Sequence, residues 1–92
     1  MRALLVDIGN SRIKWAWLTG GRLGKARAAE YSGWEARNFA RRVIGSRRGV
    51  ERILVSNVAA DTVSDSLAAG ARLAGAPEPE QVTTQRQACG VT

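Results

Sequence analysis

Four apolar residues, Ala3-Leu4-Leu5-Val6, run without interruption into Asp7 and Gly9, and this junction constrains the fold more than any other feature. A short apolar run stopped by turn chemistry is the pattern of a strand covered on both faces. Gly9-Asn10-Ser11 then supplies a tight turn, because glycine and asparagine tolerate positive φ. Ile13, Trp15 and Trp17 alternate with Arg12, Lys14 and Ala16, the period of a half-buried second strand that places both tryptophans on one side. Thr19-Gly20-Gly21 makes a second turn, and residues 23–31 read as a weaker third strand. The chain is therefore expected to open with an antiparallel unit over 2–7, 12–18 and 22–30.

Helices follow. Ser32 or Gly33 is placed to cap a helix over about 34–44, in which Ala36, Phe39, Ala40 and Val43 keep the i, i+3, i+4, i+7 spacing. Trp34 is its packing anchor, and Gly45 ends it. Ile53-Leu54-Val55 reads as a buried strand, so 53–56 should add in parallel to the first. Asp61 is a candidate N-cap for a helix over 61–74, with Val63, Leu67, Gly70, Ala71 and Ala74 on one face. Gly75 and Pro77 close it, and 81–84 reads as a last strand. The order β-β-β-α-β-α-β predicts an α/β fold, a mixed sheet with helices packed on it. The ribonuclease-H-like folds and each half of the actin-like ATPases share that order.

The first turn also carries chemistry. Main-chain N–H groups of Gly9, Asn10 and Ser11 can form an anion-binding concavity, which a phosphate oxygen approaches closely where Gly9 lacks a Cβ. Ser11 adds a hydroxyl, and Lys14 reaches back as a cation. A carboxylate does not attract a polyanion, so Asp7 is useful as a holder of Mg²⁺, directly or through water. A plain hairpin with local Asx hydrogen bonds is the competing reading. The coincidence of apolar run, Asp, Gly, Asn-Ser and Lys favours a site for the phosphate tail of Mg-ATP.

Composition limits the alternatives. Ninety-two residues suit one domain or part of one. No run of about 18 apolar residues occurs, so no membrane-spanning helix is expected. Asp7 cuts short what would otherwise begin a signal peptide. One cysteine, Cys89, and no histidine exclude an internal disulfide and a zinc site, and make the cytoplasm the default compartment. Twelve arginines and two lysines against eight carboxylates give a net charge of +6, and six of the arginines lie between Arg37 and Arg52. Their helical spacing reads as a solvated helix face and a charged loop rather than a nucleic-acid patch.

The stretch from Leu5 to Ala16, Leu-Val-Asp-Ile-Gly-Asn-Ser-Arg-Ile-Lys-Trp-Ala, closely resembles the first phosphate motif of the type III pantothenate kinases, whose usual form is Asp-x-Gly-Asn-Thr-x-x-Lys. Serine at position 11 keeps the hydroxyl of that threonine. The resemblance continues at Ile53-Leu54-Val55-Ser56-Asn57-Val58, and at Cys89-Gly90-Val91-Thr92, which is similar to the approach to the family's pantothenate segment. It implies an actin-like ATPase half-domain without a second domain in this chain, and an enzyme that phosphorylates pantothenate with ATP in the first step of coenzyme A synthesis. It further implies Mg²⁺, a monovalent cation (K⁺ or NH₄⁺), a homodimer when full-length, and neither membrane nor nucleic acid as a partner. Asp7, Ile8, Gly9, Asn10, Ser11, Arg12, Ile13 and Lys14 would form the nucleotide site, with Asp7 on the metal. Related proteins carry the name Bvg accessory factor, with an implied role in transcription. The family's Gly-x-Asp-Arg motif, with its catalytic base, and the aspartate for the monovalent cation would lie beyond Thr92. Residues 1–92 alone are thus expected to bind ATP weakly and to lack kinase activity.

Two other functions share features with this sequence. A ribonuclease-H-like nuclease, or a Holliday-junction-resolvase-like protein, opens with a similar Asp-x-Gly-x-x-Arg-Ile, but needs further carboxylates at strand ends. The fourth strand ends in Ser56-Asn57, and Asp61 and Asp65 fit a helix start and a helix surface. A non-catalytic, basic nucleic-acid-binding regulatory module would use the arginines between Arg37 and Arg52. Ser56 and Asn57 fit either turn chemistry or the lining of a cleft, and Trp15 and Trp17 either core or interface. Cys89 lacks the base that a nucleophile needs.

Overall fold

The computed structural model describes residues 2–45 and 49–82. Strands β1 (Arg2–Ile8), β2 (Arg12–Thr19), β3 (Arg22–Leu23) and β4 (Arg27–Glu30) precede helix α1 (Ala36–Phe39), which runs on into a π-helical turn, Ala40–Ile44. Strand β5 (Arg52–Asn57), helix α2 (Asp61–Leu73) and strand β6 (Pro79–Gln81) complete the order. The sheet reads β3-β2-β1-β5-β6, with β4 also pairing β2. β1 is central: antiparallel to β2, and parallel to β5. This is the expected mixed α/β sheet with helices packed on it.

The expected third strand arrives in two pieces. Leu18 pairs with Leu23 and Trp15 with Arg27, so the edge strand has one residue more than β2 between the same two pairings. That extra residue is a bulge, which bends the edge strand and interrupts its ladder. Gly24 sits there with its N–H donating to the Trp17 carbonyl at 2.7 Å, and a Cβ on it would stand a tight 3.3 Å from the same oxygen.

Leu4, Val6, Ile8, Ile13, Trp15, Ile53 and Val55 face the helices and form one core with Phe39, Val43, Ile44, Leu67 and Ala71. Trp15 is therefore core, and Trp17 packs against it half-buried. Both helices cover the same face, so β1 is not covered on both sides as its apolar run suggested. On the other face Leu5 and Leu54 are only half-buried, and Leu23 and Val82 are exposed.

Helix starts differ from expectation. The Trp34 N–H donates to the Tyr31 carbonyl at 2.9 Å with Gly33 at φ 78°, so Ser32 and Gly33 make a tight turn instead of a cap. Glu35 is the N-cap, its N–H bound to Asn38 Oδ1 at 2.7 Å. Trp34 does anchor, edge-on to Phe39 with ring centroids 5.2 Å apart. The Gly45 N–H reaches the Ala40 carbonyl at 2.8 Å, and this wider turn buries Ile44 beside Val43. Asp61 is the first residue of α2, not its cap: Ala60 holds that position without a side-chain bond. Asn57 organises the turn instead, accepting from the Ala59 N–H at 2.7 Å and donating to Ser64 Oγ at 2.6 Å. An acidic residue in the first turn still complements the helix dipole. Ala74 is exposed, outside the buried face of α2.

Strand β6 begins two residues earlier than expected, and residues 83 and 84 lie outside the described residues. Arg52 grips Glu80 across the β5–β6 pair at 2.6 Å and 3.0 Å, and this hydrogen bond holds the Glu80 carboxyl below the ordinary glutamate range. Of the basic stretch, Arg37 meets Glu35, Arg52 meets Glu80, and Arg42 lies 5.7 Å above the Trp34 ring. These are contacts of a charged face. Arg47 and Arg48 lie outside the described residues.

Candidate functional site

Asp7 is the last outward-facing residue of β1 before the turn. In the antiparallel ladder it stands opposite Lys14, and in the parallel ladder opposite Ser56. Paired residues of adjacent strands share a face, so Lys14, Asp7 and Ser56 form a polar row across β2, β1 and β5. All three line the end of a cavity of about 410 Å³ on the open face, floored by Leu5, Ala16 and Leu54. Asp7 and Lys14 are exposed, and no ion pair joins them among the described residues. Both charges are thus available to a ligand.

The turn itself departs from the expected geometry. Gly9 is not at positive φ, and its N–H donates to the Arg12 carbonyl at 2.8 Å, so it cannot also meet an anion. Its carbonyl accepts a hydrogen bond from the Tyr31 hydroxyl. Asn10 and Ser11 remain exposed, with no hydrogen bond from their N–H groups among the described residues. A Cβ on Gly9 would meet the Arg12 carbonyl at 3.4 Å, an ordinary contact, so neither backbone strain nor crowding within the hairpin requires glycine there. Ile8 and Ile13, which the motif includes, have fully buried side chains and anchor the turn to the core. Arg12 is exposed at the start of β2.

Among the described residues no cluster of three acidic, histidine or cysteine groups could hold a metal. The donors fit a hard cation held by one carboxylate together with water and ligand phosphates, the usual arrangement for Mg²⁺. They do not provide the several carboxylates of a two-metal nuclease. No described residue is assigned to a monovalent cation. Sequence reasoning missed Tyr31, whose partner is 22 positions away. It left Ser56 undecided, although the parallel register alone puts it beside Asp7.

The sequence profile of the type III pantothenate kinases matches residues 3–92. A type III pantothenate kinase of Aromatoleum aromaticum is 30% identical over 94 residues, covering 96% of this chain and 35% of that protein. The chain belongs to the type III pantothenate kinase family. It spans about a third of the length of that curated relative. Among solved structures, the Aquifex aeolicus member of the Ppx/GppA family is similar with a TM-score of 0.47 and 17% identity, covering 95% of this chain and 36% of that one. A second Aquifex aeolicus PPX-GPPA enzyme structure gives a TM-score of 0.48 at 12% identity, covering 94% and 37%. No helix among the described residues is long and apolar enough to cross a membrane.

Proposed function

We propose that the full-length protein transfers the γ-phosphoryl group of ATP to pantothenate, with this chain supplying the phosphate-binding hairpin. The observation that carries this reading is the row Lys14–Asp7–Ser56 beside an exposed Asn10-Ser11 turn, in a chain of the pantothenate kinase family. The pantothenate hydroxyl attacks the γ-phosphorus, the bond to the β-phosphate oxygen breaks, and ADP leaves. Such a reaction needs little covalent help from the protein, so positioning and charge stabilisation dominate. Lys14 neutralises the phosphates, and the N–H groups of Asn10 and Ser11 with the Ser11 hydroxyl hold their oxygens. Asp7 would hold Mg²⁺, which when bound offsets charge on the phosphate tail. The base that receives the hydroxyl proton and the site for K⁺ or NH₄⁺ belong to residues outside the hairpin. The same reading assigns the cytoplasm and a homodimer, and neither nucleic acid nor a membrane as partner.

Calorimetric titration of the full-length protein with Mg-ATP tests the hairpin's part. Lys14→Ala should weaken binding about ten- to hundredfold, since a charge-assisted contact of this kind is worth about 1.5–3 kcal/mol. Unchanged affinity would remove Lys14 from the nucleotide site.

A further inference from the structure

We infer that Tyr31 is a positioning residue for the nucleotide: its hydroxyl fixes the orientation of the Gly9–Asn10 peptide and so aims the Asn10 N–H at the phosphates. The inference deepens the kinase reading and rests on it.

In an ordinary two-residue hairpin the residues flanking the loop exchange two main-chain hydrogen bonds. Here one of the two is made, Gly9 N–H to the Arg12 carbonyl. The reciprocal bond from Arg12 to the Gly9 carbonyl is absent among the described residues, and Tyr31 Oη donates to that carbonyl instead. Tyr31 follows directly on β4, which pairs with β2 at Arg12–Glu30, so it stands at the foot of the turn. Its half-buried ring leans on Phe39, 6.5 Å between centroids, on the helix-covered side of the sheet. Phe39 is 1% exposed, which gives the tyrosine a rigid seat.

The consequence follows from peptide geometry. A trans peptide unit is planar, so its C=O and the following N–H point in opposite directions. With the Gly9 carbonyl held toward Tyr31 and the helices, the Asn10 N–H points away from them, toward the side on which Asp7 and Lys14 stand. Without the hydroxyl the peptide is free to rotate and can present its carbonyl oxygen to the phosphates. That exchange turns a donor into a repulsive acceptor. Nothing in the ring's packing requires the hydroxyl: a phenylalanine would keep the contact with Phe39.

The test is Tyr31→Phe in the full-length protein, with Tyr31→Ala as the packing control. In steady-state assays Tyr31→Phe should raise the KM for Mg-ATP about tenfold, leave the KM for pantothenate within twofold, and melt within a few degrees of wild type. Tyr31→Ala should lose thermal stability as well. Calorimetry with Mg-ATP should show the same tenfold weakening for Tyr31→Phe. Equal Mg-ATP affinity and KM in wild type and Tyr31→Phe would overturn the positioning role while leaving the kinase reading intact. A uniform loss of stability and of both KM values in Tyr31→Phe would also overturn it, by showing a general structural role. A wild-type protein that binds no Mg-ATP at all would bring down the kinase reading, and this inference with it.

Discussion

Asp7→Asn is expected to lower the turnover of the full-length kinase by about a thousandfold, several kcal/mol of transition-state stabilisation. The substitution is nearly isosteric and removes one charge. Asp7 is exposed and makes no ion pair among the described residues, so the fold loses little when that charge is removed. Its neighbours across the sheet, Lys14 and Ser56, are left in register because the ladder is made by main-chain bonds. The loss should therefore fall on kcat at saturating ATP, with an unchanged melting temperature. A variant turning over within threefold of wild type would remove the metal-holding role from Asp7.

The second large effect is on stability. Gly70 lies inside α2, near its last turn, where a glycine normally costs up to about 1 kcal/mol relative to alanine. On propensity alone, Gly70→Ala should stabilise. The packing reverses the sign: a Cβ at Gly70 would stand 2.6 Å from the Ala36 carbonyl oxygen, 3.0 Å from the Ala40 nitrogen and 3.0 Å from Phe39 Cβ. Two of these are main-chain atoms of the facing helix, which cannot rotate aside. Gly70→Ala should thus cost about 3 kcal/mol, at the upper end of overpacking effects, by forcing α2 off α1. Phe39 is the seat of Tyr31, so the variant should also weaken Mg-ATP binding. Chemical denaturation measures the first effect; a variant as stable as wild type or more so would contradict the packing account.

The parts of this fold that could be read from sequence are those dictated by short-range chemistry. The apolar run 3–6, the turn after Asp7 and the alternation Ile13, Trp15, Trp17 placed β1 and β2 within a residue or two. The parallel addition of β5 followed from its uniform apolar run and a helical crossover. Features set by contacts between distant segments were not legible. The bulge at Gly24 depends on register with Trp17, and the start of α1 on a turn closed between Tyr31 and Trp34. Asp61 has the chemistry of a cap, yet Asn57 at the strand end reaches the turn first, so the aspartate is carried into the helix. Trp15 and Trp17 fitted either core or interface on sequence alone, and an interface role would have left the uncovered apolar surface on their side. It is instead the opposite face, with Leu5, Leu23, Leu54 and Val82, because both helices pack on the tryptophan side.

The site shows the same division. Asp7, Asn10, Ser11 and Lys14 were readable because each has a side chain or turn propensity suited to phosphate and metal. Gly9 has the chemistry of an anion donor, but its N–H is engaged by the Arg12 carbonyl within the hairpin, a bond that no local pattern announces. Tyr31 carried no local signal; its role exists only through a bond spanning the sheet edge.

The most direct measurement is incubation of the full-length protein with Mg-ATP, pantothenate and either K⁺ or NH₄⁺, with mass spectrometry of the products. The account predicts equimolar ADP and phosphopantothenate, formed about a thousandfold more slowly when Asp7→Asn replaces the wild type. ATP hydrolysis that ignores pantothenate, or cleavage of a nucleic-acid strand by the same preparation with no phosphopantothenate formed, would contradict it.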